Sequence, residues 1–158
     1  MDSTDSFLEA VRRFADWAST PAKTPAEDAR QALKFLSELY ALGLALRSPN
    51  EVLSDLQGHR ISDDEWKDRY RRFSRIPIGY YAVVCDPFDS MPEPGVSDLA
   101  DDLSDIYRDL MEGLSLEQAG YRPDAVFAWR HSFETHWGPH AVSAMNALHS
   151  WLQQEAAW

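Results

Sequence analysis

Apolar positions recur three and four residues apart along most of the chain, the mark of helices that bury one face. Phe7, Val11, Phe14 and Ala18 predict a first helix over 6–19, with Ser6 and Glu9 spaced as a capping box and Thr20-Pro21 as its stop. Thr24-Pro-Ala-Glu27 opens a second helix with an N-cap threonine, a first-turn proline and a glutamate that can reach back. Leu33, Leu36, Leu39, Tyr40, Leu44 and Leu46 give it a broad apolar face to about Arg47, which makes it the predicted central helix. Ser62-Asp-Asp-Glu65 starts a third, extending to about Arg75. A fourth runs from Ser97 to about Ala119, where Gly120 can stop it. Pro123 opens a fifth, to about Trp137; Gly138-Pro139 interrupts, and a sixth reaches about Gln154.

Residues 76–95 break the pattern. Pro77, Pro87, Pro92 and Pro94 exclude a long helix there. Tyr80–Cys85 has the composition of a short strand, but a lone strand has no partner, so an ordered loop across the bundle is expected. The predicted fold class is all-α: one domain over 1–158, a bundle of five or six helices with one long proline-rich connection.

Composition fits a folded globule: 158 residues, 44% hydrophobic and 12% aromatic. A net charge of −11 argues against nucleic acid and against anionic membrane surfaces, since both are polyanions. No apolar run is long enough to span a bilayer, and the acidic N-terminus lacks the basic start and apolar centre of a signal peptide. A cytoplasmic protein is expected. Cys85 is the single cysteine, so neither an intrachain disulfide nor a cysteine-based zinc site can form.

Charge also changes the reading of the fourth helix. Between Asp98 and Glu112 it carries six acids and one base. At about 100° per residue, Asp98, Asp102, Asp105, Asp109 and Glu112 form a stripe beside the apolar face of Leu99, Leu103, Ile106, Leu110 and Leu114. Acids so spaced repel, by about 0.2–0.5 kcal/mol per pair. Something positive is therefore expected to face them: a metal ion, the arginines of the third helix, or solvent counterions. Asp102 and Asp109 lie nearest the apolar boundary and are the acids expected to be partly buried, hence to need a specific partner. If the third helix docks there, replacing Arg72 and Arg75 with glutamate should lower the melting temperature.

The second candidate segment is Trp129-Arg-His-Ser-Phe-Glu-Thr-His-Trp-Gly-Pro-His140. Val126, Trp129, Phe133 and Trp137 share a core stripe, Arg130 and Glu134 are spaced for an ion pair, and His131 points away. His136 and His140, four apart, could share one ion on an unbroken helix, but Gly138-Pro139 between them argues against that geometry. Glu134 and His136 point about 200° apart, so one helix cannot offer both to one ion. The candidate metal ligands are Asp102, Asp105, Asp109, Glu134, His136 and His140, with Arg130 in the same polar site; such a mixed set suits zinc, iron or manganese. The alternative is that His136 and His140 only hydrogen-bond within the core or at the helix junction.

These two segments, with Phe-Leu-Glu-Ala-Val11 and Leu-Tyr-Ala-Leu-Gly-Leu44 nearer the N-terminus, resemble the bacterial domain-of-unknown-function family 5063 across nearly the whole chain. The resemblance implies a bacterial, cytoplasmic helical domain and carries over no activity. The matching positions include Asp101, Asp102, Asp105, Tyr107, Asp109, Trp129, Phe133, Glu134, His136, Trp137, Gly138 and His140.

No phosphate loop, nucleophile elbow or His-Glu-x-x-His motif occurs. Two functions stay open. One is a non-catalytic interaction or accessory module, contacting a protein partner or a second copy through Trp151, Leu152 and Trp158; docking of that end on its own bundle is the alternative. The other is a metal-binding protein or metal-dependent hydrolase built on the acid and histidine segments.

Overall fold

The computed structural model describes residues 3–49 and 56–155. In chain order they form α1 (Ser3–Ser19), α2 (Pro25–Ala45), α3 (Asp63–Phe73), β1 (Tyr80–Val84), β2 (Pro94–Asp98), α4 (Leu99–Gln118), α5 (Arg122–Ser132), a π turn (Phe133–Trp137) and α6 (Gly138–Gln154). The fold is an all-α bundle carrying one small hairpin.

The helix starts follow their capping chemistry. The Glu27 N–H donates to Thr24 Oγ1 at 3.2 Å, and the Thr24 N–H donates to Glu27 Oε2 at 3.1 Å. Ser62 caps α3 by accepting from the Glu65 N–H. The first helix differs: among the described residues it already runs from Ser3, so Ser6 lies within the helix rather than at its start.

The central helix is α4 rather than α2. It packs on α1, α3, α5 and α6, whereas α2 packs on α1 and α6. Twelve of the twenty residues of α4 are buried, against six of twenty-one in α2. Leu36, Leu39 and Leu46 join the core as expected, but Leu44 is 61% exposed. Leu103, Ile106 and Leu110 of α4 meet a cluster of rings that includes Phe7, Phe14, Phe73, Trp129 and Trp137. Trp129 reaches α4 because residue 113 is glycine; a Cβ there would lie 2.2 Å from the indole Nε1, which donates to the Leu110 carbonyl.

The expected loop at 76–95 contains an antiparallel hairpin, with Tyr81 opposite Ser97 and Val83 opposite Gly95. Its second strand, Pro-Gly-Val-Ser-Asp, has little strand propensity, which hid the pairing. Pro94 is tolerated as the first residue of a strand in a two-stranded sheet. Tyr81 and Ser97 face inward and anchor the hairpin on Asp102.

Gly138-Pro139 does not interrupt the chain's helical course. The Gly138 N–H donates to the Phe133 carbonyl, one residue wider than an α-helical bond. A wide turn relieves the clash a proline ring would make with the preceding turn. It also demands glycine at 138, where a Cβ would sit 2.3 Å from that carbonyl oxygen.

The C-terminal tryptophan pair divides. Leu152 is fully buried in the bundle and Trp151 is partly buried against the core. Trp158 lies outside the described residues.

Candidate functional site

α4 and the α5–π–α6 rod run side by side, which sets the acid stripe against His136 and His140. Asp102 and Asp109, expected to be partly buried at the apolar boundary, are buried more deeply, at 0% and 7% exposure. Each holds one imidazole. Asp102 Oδ1 lies 2.6 Å from His140 Nδ1, and Asp109 Oδ2 lies 2.6 Å from His136 Nδ1. A carboxylate can only accept, so both Nδ1 atoms carry the proton and Nε2 is the nitrogen left to act.

Asp105 is held in the same manner from its own side. Its Oδ1 accepts from Trp66 Nε1 at 2.9 Å and pairs with the Arg108 guanidinium at 2.6 Å. Its Oδ2 faces His136 Nε2 at 3.8 Å. Asp105, His136 and His140 thus each present one donor atom, and the three atoms lie within 4.8 Å of one another. The two imidazoles meet edge to face with centroids 4.8 Å apart. The wide turn at Gly138 therefore preserves the pairing that a break would have destroyed.

The other predicted residues fall elsewhere. Glu134 turns outward to Arg130, Oε1 to Nε at 2.5 Å, and Arg130 also donates to the Leu46 carbonyl. That pair is the one the spacing predicted, and it lies apart from the three converging donors. His131 is exposed and stacks on Phe127. Asp98 caps α4 and accepts from the Tyr70 hydroxyl.

The partners that hold the site were missing from the sequence reading. The Tyr81 and Ser97 hydroxyls both donate to Asp102, so that carboxylate has three partners. Tyr81 and Ser97 come from the hairpin, which sequence patterning did not show. Trp66 was visible only as one of several aromatics of α3. The arginines of α3 do not face the acid stripe. Arg72 pairs with buried Asp28 of α2, and Arg69 donates to the Ala18 carbonyl.

The electrostatics of the cluster reflect an excess of acid. His140 is raised above the usual imidazole range by its hydrogen bond to Asp102, against a burial effect that lowers it; the charges of Asp102, Asp105 and Asp101 add to the rise. Asp101 is raised by burial and then by repulsion from Asp105, Asp102 and Asp98. Burial and Asp102 likewise hold the Tyr81 phenol protonated well above its ordinary range. Two clefts touch the cluster. One, about 870 Å³, touches Asp109 and His136; the other, about 740 Å³, touches Asp102 and His140.

The chain belongs to the family described as domain of unknown function DUF5063, which matches residues 1–154. The crystal structure of protein BF1032 from Bacteroides fragilis is similar over 95% of both chains, with a TM-score of 0.76 at 17% sequence identity. That likeness establishes a shared fold. No curated protein matches the chain. Among the described residues, no helix is long and apolar enough to cross a membrane.

Proposed function

We propose that this chain binds a divalent first-row transition metal on Asp105, His136 and His140, and that its function is metal-dependent. One observation carries the reading. Asp105 Oδ1 and the Nδ1 atoms of His136 and His140 are each held by another side chain, and one donor atom from each of the three residues lies within 4.8 Å of the others. Carboxylates behind metal-binding imidazoles commonly orient the ring and raise its basicity, and Asp102 and Asp109 stand in that place. Metal–ligand bonds of about 2.0–2.2 Å require the donors to draw in by roughly 1 Å. Two histidines and one carboxylate leave coordination positions open for water or a substrate oxygen, an arrangement suited to iron or to catalytic zinc. Hydrolysis by Lewis-acid activation is the reaction class that needs least beyond these parts.

The interaction-module reading has its own support in the hairpin, whose tip and outer face expose Phe88, Met91, Tyr80 and Val96. The metal reading is preferred because it accounts for five polar side chains at once.

The test is elemental analysis of the untagged protein with calorimetric titration of zinc, manganese and anaerobic ferrous iron. One ion per chain is expected, with binding lost in His136→Ala and in His140→Ala. Absence of binding, or binding that survives both substitutions, would overturn the reading.

A further inference from the structure

The cleft on the His140 side has walls that the core does not explain. Leu44 of α2 is 61% exposed and Val142 of α6 is 49% exposed, yet both line it. Val83, from the inward face of the hairpin, and Phe133, from the π turn, add to its apolar walls. Its floor is polar, made by Asp102 and His140. The volume, about 740 Å³, suits a small organic molecule rather than a protein segment. Asp102 is already occupied by three partners, and the Glu134 carboxylate at the cleft is held by Arg130. Among the described residues no lysine or arginine lines the cleft, and of the three proposed metal donors His140 is the one that does, so an anionic head group would meet its countercharge there.

We infer that this cleft binds a small molecule with an apolar body and an oxygen-donor head, the body lying between the hairpin and the α2/α6 pair and the head reaching the ion. The head half of this inference rests on the metal reading; the body half does not. Leu44 and Val142 then set specificity through chain length, and His140 joins the apolar cleft to the metal.

Two hydroxamates, which bind metals through oxygen, test it on the zinc-loaded full chain by calorimetry: acetohydroxamate and octanohydroxamate. Each methylene buried strengthens binding about fourfold, so the longer probe should bind at least about 100-fold tighter. Leu44→Asp and Val142→Asp change exposed positions, and in both that advantage should fall below about tenfold with zinc affinity unchanged. Equal affinities for the two probes, or an advantage that survives both substitutions, would overturn the inference. A second arm uses the apolar dye anilinonaphthalene sulfonate on the chelated protein. If zinc does not bind, the metal reading and the head half fail together, and the dye decides the body half. Enhanced fluorescence that both substitutions abolish supports it; no enhancement, or enhancement unchanged by them, overturns it.

Discussion

Asp28 and Asp102 are both fully buried carboxylates with a basic partner, and they are built to opposite ends. Asp28 takes two guanidinium nitrogens of Arg72, the Trp17 indole and the Ala22 N–H. Among the described residues what it holds terminates there: Arg72 goes on to the Trp17 carbonyl and to the faces of Trp17 and Phe73. Asp102 is equally crowded, but its basic partner is an imidazole. Histidine has a second nitrogen across the ring, so the carboxylate's influence passes through it to the space shared with His136 and Asp105. An arginine closes a buried charge, whereas a histidine relays it.

The largest effect should come from breaking the closed side. Arg72→Ala leaves Asp28 charged without its guanidinium, and a broken buried pair costs about 3–5 kcal/mol. Urea unfolding should report that loss, while zinc affinity stays at the parental value. The double change of Arg72 and Arg75 to glutamate should do little more than Arg72 alone, because Arg75 is exposed.

On the relaying side the order reverses. Asp102→Asn and Asp109→Asn each remove an orienting carboxylate, for which about 10–100-fold in metal affinity is expected. Calorimetry on the two variants would separate this from a purely structural role, under which affinity would not change.

A smaller effect follows from pH. His140 is raised in the folded chain above its ordinary value of 6.5. Its charged form therefore stabilises the metal-free fold fully below that value, and the contribution is lost as pH rises through the raised folded value. Metal binding requires Nε2 without its proton, so it strengthens across the same window. Melting temperatures in chelator should fall with rising pH while zinc affinity climbs, and His140→Gln should remove both trends.

The smallest effect is expected at Glu134→Gln. The Arg130–Glu134 pair is largely solvent-facing, so stability should change by less than about 1 kcal/mol, with no change in metal affinity. A large loss of metal binding there would move Glu134 into the site and break the distinction drawn above.

What could be read ahead of the structure was whatever depends on neighbours in sequence. The Thr24 and Ser62 caps, the acid stripe and the burial of Asp102 and Asp109 all follow from spacing along one helix. What escaped depends on distant partners. Tyr81 is an unremarkable residue of a Tyr-Tyr pair until Pro94–Asp98 folds back beside it. Arg72 could be assigned to the nearest run of acids, yet the carboxylate it meets is forty-four residues upstream. α2 had the broader run of leucines, but α4 could be buried more deeply because side chains from other elements neutralise or hydrogen-bond its acids.

The wide turn at Gly138 also sets phase for everything after it. Closing that turn to regular α-helical spacing with every residue kept would rotate all that follows by about 100°. His140 would leave the acids, and Ala141, Ala144, Leu148 and Leu152 would leave the core in the same rotation. The binding nitrogen and the packing face of α6 share a single register. A lineage that carries this fold can lose the site by substitution, but a deletion in the rod outside this turn would cost it the bundle as well.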